Sequence, residues 1–131
     1  MTSVADTRLL LTLEFPPNQD FATKAEDFFE KEIARQLLVP SIVITEFIKY
    51  AGARIGEDAA MTRIRLFKEK GLKTVSIDEK AALTAGSLLL AHANVPIADA
   101  LIASFVKNGT AEYVVTDDLH FKALGVKTKW I

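Results

Sequence analysis

A chain of 131 residues, half of them hydrophobic, has the size of one domain and enough apolar mass for a real core, so residues 1–131 are read as one domain. A net charge of −1 excludes a global basic field for nucleic acid and leaves only local patches for that purpose. The absence of cysteine excludes disulfides and thiolate metal sites, and makes a cytoplasmic setting the expectation.

The opening MTSVADTRLLL has no basic region before its apolar residues and meets Asp6 early, so it does not read as a signal peptide. No apolar run approaches the ~18 residues of a membrane span, and no membrane partner is expected. Thr2 to Ala5 reads as a first strand, closed by Asp6. Thr7 to Phe15 reads as a helix stopped by Pro16-Pro17. Asp20 to Gln36 forms a charged amphipathic helix, with Ala25, Phe28, Phe29 and Ile33 on one face. Leu37 to Val39 is a brief buried strand ended by Pro40, and Ser41 is placed as N-cap of a helix reaching about Ala53. A further helix runs from about Asp58 to Lys70, with Gly71 marking its end. Lys73 to Ile77 is a third strand. Asp78 begins a helix to about Ala93, and Pro96 begins another to Lys107, which Gly109 stops. Glu112 to Thr116 is the fourth strand, Leu119 to Leu124 a short helix, and Val126 to Ile131 the last strand. Strands alternating with helices predict an α/β fold with a parallel sheet.

Ligand sites in such sheets lie outside the carboxyl ends of the strands. Asp6 ends the first strand and Asp117-Asp118 follow the fourth, so both fall on one edge. Either alone is more simply a turn or cap residue. At roughly 100° per residue, Glu46 lines up with Ile42 and Tyr50, while Thr45 and Lys49 mark the solvent side. A carboxylate at the edge of an apolar arc is costly unless satisfied, by water, by an arginine or by a cation. Asp99 stands just beyond the apolar face of PIADALIASFVK, where an acid also suits the helix dipole. Taken together, acids from separate segments that share one cleft repel each other unless they bind cations or hold protons. An oxygen-only donor set selects Mg²⁺ or Mn²⁺, and a carboxylate-held metal pair suits in-line attack of water on a phosphodiester.

Ala5-Asp6-Thr7, the stretch VPSIVITEF at Val39 to Phe47, IADALIAS at Ile97 to Ser104 and VVTDDLHF at Val114 to Phe121 together resemble the PIN domain, and within it the small VapC-like toxin ribonucleases. The pieces stand in that family's order and spacing over almost the whole chain. The resemblance implies a five-stranded parallel sheet flanked by helices, with strands one and four adjacent. It implies catalytic roles for Asp6, Glu46, Asp99 and Asp118, which would also hold Mg²⁺ or Mn²⁺. Asp117 stands where the family often has Asn, as an assisting or substitute ligand. Thr116 matches a hydroxyl position near the metals, and Thr7 and Arg8 are supporting residues. Arg8 departs from the family's usual Ser or Asn, and either binds the scissile phosphate or pairs with a surface acid. The implied activity is endoribonucleolytic cleavage of single-stranded or loop RNA, by a homodimer whose acidic groove a cognate antitoxin blocks.

His120 and His92 are read as ordinary helix residues rather than ligands. Arg54, Arg63, Arg65, Lys68, Lys70 and Lys73 make either a solvated helix face or an RNA-backbone clamp. GARIG lacks the strand-to-helix context of a phosphate loop. Trp130 and Ile131 are expected to close the sheet. Two other functions stay open: a catalytically silent PIN scaffold that binds RNA or a partner, and a receiver-like phosphoacceptor domain.

Overall fold

A computed structural model describes residues 1–131. In chain order the elements are β1 (Ser3–Ala5), α1 (Thr7–Glu14), α2 (Gln19–Arg35), β2 (Leu37–Pro40), α3 (Ser41–Ile55), α4 (Glu57–Glu69), β3 (Lys73–Val75), α5 (Glu79–Ala91), α6 (Ile97–Lys107), β4 (Tyr113–Val115), α7 (His120–Ala123) and β5 (Thr128–Lys129). The strands form one parallel sheet in the order β3-β2-β1-β4-β5, the expected α/β architecture. Strand β1 is central, with Val4 opposite Leu38 on one side and Val114 on the other. After β1 the chain builds outward through β2 and β3, then returns to lay β4 on the opposite flank of β1. The carboxyl ends of β1 and β4 therefore flank the point where the winding reverses, where such sheets open a crevice.

Helix starts follow local chemistry. Asn18 caps α2 by accepting from Phe21 N, and Asp78 caps α5 by accepting from Ala81 N. The expected cap at Ser41 is not formed. Pro40 occupies that position with φ −63° and ψ 144°, and Ser41 is already the first helical residue. The proline ring holds the extended backbone that a capping side chain would otherwise secure. The last strand is also shorter than expected. Val126 N donates to the carbonyl of Phe121 and so belongs to the turn after α7, which leaves Thr128–Lys129 to pair with β4. Trp130 and Ile131 pack against the core without joining the ladder.

Both faces of the sheet are covered, so its strands read as apolar runs rather than alternating ones. Val4, Ala5, Leu37, Val39, Val114 and Val115 are at most 1% exposed. Phe67 of α4 meets Phe29 and Phe47 edge-on, with ring centroids 5.7 and 5.9 Å away. On α2, Ala25 and Phe29 are buried as expected, and Glu32 is buried with them at 0% exposure. The Tyr113 hydroxyl donates to the Glu32 carboxylate, and Lys129 Nζ and Arg35 lie 3.6 and 3.8 Å from it.

Gly71, after α4, takes φ +123°, and a Cβ there would come within 2.6 Å of Ile33 Cγ2. Gly71→Ala adds both left-handed backbone strain and a clash with a packed side chain. The expected loss is about 2–3 kcal/mol in chemical denaturation; a loss below about 0.5 kcal/mol would show that the α4–β3 turn relaxes freely.

Candidate metal centre at the carboxyl edge of the sheet

Asp6 follows β1 directly and caps α1. Its Oδ1 accepts from Thr7 N at 2.7 Å and its Oδ2 accepts from the Thr116 hydroxyl at 2.8 Å. Thr116 stands at the same level just past the end of β4, so this bond ties the two strand ends together across the crevice. The same hydroxyl oxygen accepts from Asp118 N at 3.0 Å, which sets the turn and aims Asp118 inward. The Thr7 hydroxyl donates to Glu46 Oε1 at 2.6 Å and locks the acid of α3 against α1. Asp99 enters from the first turn of α6 and is 9% exposed.

Asp6, Glu46, Asp99 and Asp118 line one cleft of about 280 Å³, together with Thr7, Arg8, Leu11 and Tyr50. The four acids come from four separate segments of the chain, and the topology brings all of them to one place. Burial pushes the Asp6 carboxyl up to about 7, with Asp99 and Glu46 adding repulsion and the Thr116 and Thr7 hydrogen bonds opposing. Asp99 is raised as well, first by burial and then by Asp118 and Glu46, against the pull of His120. Acids crowded in this way favour either protons or a cation.

Asp117 does not line the cleft. Arg8 turns outward to pair with it through Nε and, at 3.0 Å, through Nη2. That fork holds the Asp117 carboxylate below its usual range. Of the two consecutive aspartates, then, one faces the acids and the other faces a cation. His120, expected as an ordinary helix residue, comes into the site. Its Nδ1 lies 3.0 Å from Asp99 Oδ2 and 3.3 Å from Asp118 Oδ1, and its backbone N–H donates to Asp118. Asp99, Asp118 and His120 offer ligand atoms within 4.8 Å of one another. The carboxylates of this set suit a hard divalent ion, and the imidazole is a softer donor beside them. The basic segment of the sequence is divided up: Arg63 pairs with Glu14 and Lys70 with Glu26.

Among solved structures, the Rickettsia felis VapBC2 complex bound to a promoter DNA fragment matches with TM-score 0.80 at 17% identity, over 99% of this chain and 98% of that one. DNA-bound VapBC from Salmonella typhimurium gives 0.76 at 20% identity, over 99% and 98%. Mycobacterium tuberculosis VapC20, a toxin that cleaves the sarcin-ricin loop, gives 0.74 at 15% identity over 95% of each chain. No curated protein sequence matches the chain. The fold is thus that of the VapC-type toxins, and no helix is long and apolar enough to cross a membrane. The PIN domain model matches residues 4–127, a span that holds every acid of the cleft, and the chain belongs to the PIN-domain family.

Proposed function

We propose that this protein is a divalent-metal-dependent endoribonuclease, the toxin of a VapBC-type toxin–antitoxin pair, with single-stranded or loop RNA as substrate. One observation carries the reading: four carboxylates from four separate segments meet in one cleft at the switch point of the sheet. Structures of like fold support it, since one is a toxin that cleaves the sarcin-ricin loop and another is a toxin–antitoxin complex.

Asp6, Glu46, Asp99 and Asp118 would hold Mg²⁺ or Mn²⁺. Such an ion supplies a Lewis acid that lowers the pKa of water and offsets charge on a phosphate. The chain's own groups set the stage for it. Thr116 fixes Asp6 and turns Asp118 inward, and Thr7 fixes Glu46. The His120 ring lies against both Asp99 and Asp118, its Nδ1 3.0 and 3.3 Å from their carboxylates, and braces the two acids at the cleft. Arg8 stands at the rim, oriented by Asp117, where the phosphate of an entering strand would pass. RNA is best cut where it is unpaired, because a duplex hides its bases and a single strand bends into a narrow cleft. The expected protein partners are an antitoxin that fills the acidic groove and a second copy of the chain.

The test is cleavage of a structured RNA pool by the purified chain. Cuts are expected in Mn²⁺, with at least ~100-fold loss in EDTA, more than removing a mere supporter of a metal ligand costs. Cleavage unchanged in EDTA would sink the metal assignment. A folded chain that binds RNA and never cuts it would leave the silent scaffold as the better reading.

A further inference from the structure

Beside the acidic cleft lies a larger hollow of opposite character. It measures about 490 Å³ and is lined by Arg8, Leu11, Thr12, Phe15, Tyr50 and Arg54. The size falls within the ~300–1,000 Å³ usual for ligand sites. Its charged groups are both guanidiniums, and no carboxylate lines it. The two hollows share Arg8, Leu11 and Tyr50, so they adjoin. Glu46, Tyr50 and Arg54 follow one another on successive turns of α3. At 1.5 Å per residue, Arg54 stands roughly 12 Å along the helix from Glu46. One face of α3 therefore runs from the acids to the cations.

The side chains in the hollow are arranged for more than charge. The Arg54 guanidinium lies over the Phe15 ring, 3.7 Å from its centroid, a contact that restrains it. Unlike Arg8, it has no carboxylate within ion-pair distance. Tyr50 is 48% exposed, and Lys49 Nζ lies 5.2 Å from the centroid of its ring. An unpaired guanidinium beside an exposed aromatic ring offers the two contacts a nucleotide uses: a fork for the phosphate and a face for the base. An acidic protein segment would find the cations but would leave the ring and the opening into the cleft unused.

We infer that this hollow is a nucleotide subsite, seating a nucleotide that flanks the scissile phosphate, with its phosphate on Arg54 and its base against Tyr50. The inference rests on the RNA-cleaving reading of the neighbouring cleft. Arg54 and Tyr50 act here as positioning residues for the strand.

The test uses the whole chain and a fluorescein-labelled single-stranded RNA of random sequence, read by anisotropy with Ca²⁺ in place of Mn²⁺ over a range of salt. Arg54→Ala should weaken binding roughly tenfold and flatten the slope of log K against log salt by about 0.7. Arg54→Lys should keep the slope and lose part of the affinity. Tyr50→Ala should weaken binding by a similar factor and leave the slope unchanged. In Mn²⁺ cleavage of the same RNA, Arg54→Ala should raise KM and hold kcat within about twofold of the parent. If the parent binds and cuts RNA while both alanine variants match it, the subsite falls and the nuclease stands. If the parent neither binds nor cuts RNA, both fall. A uniform loss of binding with the salt slope intact in Arg54→Ala would make Arg54 a prop for Phe15, and would overturn the phosphate contact. Normal RNA binding by Arg54→Ala together with loss of a co-eluting protein would mark a protein site instead.

Discussion

Replacing Asp6 by Asn should abolish metal-dependent RNA cleavage and, in the same molecule, stabilise the metal-free chain above pH 7. The two effects share a cause. Asp6 is 4% exposed and sits among acids, and its carboxyl is raised from the ordinary 3.8 to about 7. The folded chain therefore keeps a proton there that the unfolded chain has already released. The stability tied to that proton is complete below about pH 3.8 and is lost as pH rises through about 7. A rise of this size has an upper limit of about 4 kcal/mol. Asparagine removes the charge and keeps the shape. Its oxygen can still accept from Thr7 N, and its amide can donate to the Thr116 hydroxyl. Allowing for imperfect geometry, the gain at pH 8 should be about 2 kcal/mol, or roughly 6–10 °C in the thermal midpoint of a chain this long. Near pH 4 the two proteins should melt within a few degrees of each other. Melts in EDTA across pH check this, and a parallel pH dependence in parent and variant would sink it. Saturating Mn²⁺ should reverse the order. An ion that binds only the folded parent contributes about 2.7 kcal/mol at a hundred times its Kd. Cleavage by the variant should fall at least ~100-fold, and retained cleavage would remove Asp6 from the centre.

The sheet edge was legible because buried runs such as Tyr113-Val114-Val115 end abruptly in polar residues, and parallel strands place such ends together. The direction of each acid was less legible. Asp117 and Asp118 are neighbours with the same side chain, yet one faces Arg8 and the other faces Asp99. The choice is made by Thr116 accepting from Asp118 N and by Arg8 drawing Asp117 out, and both partners are fixed only in three dimensions. His120 was set aside for a similar reason. It begins a four-residue helix, too short to show a face, and its position against Asp99 depends on that same turn. Ser41 misled because serine is a good cap in general, while Pro40 already held the backbone.

Glu32 shows where sequence periodicity fails outright. The two residues before it, Glu30 and Lys31, are exposed, and a glutamate in QDFATKAEDFFEKEIAR reads as solvated. Its burial is decided by a partner eighty-one positions away. Charge on a helix says which residues tolerate water. It does not say which of them the sheet behind the helix will reach.

Tyr113→Phe should accordingly be the most destabilising conservative change in the chain. The phenol is itself pushed above its usual range, first by burial and then by the Glu32 carboxylate, so it remains a proton donor at any working pH. Removing it leaves a carboxylate at 0% exposure with only Lys129 at 3.6 Å and Arg35 at 3.8 Å. Both cations are 40% exposed or more, so solvent screens much of their attraction. A buried charge deprived of its donor costs about 3 kcal/mol. The cure should be a second change rather than the reverse of the first. Glu32→Met in the Tyr113→Phe background replaces the orphaned charge with an apolar side chain of similar length, and should restore about 2 kcal/mol. A double-mutant cycle in urea measures this directly. Additive losses would show that the carboxylate finds water when the phenol goes, and that the pair is not coupled. Tyr113 begins β4 whereas Thr116 and Asp118 follow its end, so the damage should be to stability and not to chemistry. Below its melting range, Tyr113→Phe should cut RNA at close to the parental rate. A loss of cleavage in a fully folded variant would mean that the tilt of β4, and not its presence alone, sets the spacing between Asp6 and Asp118.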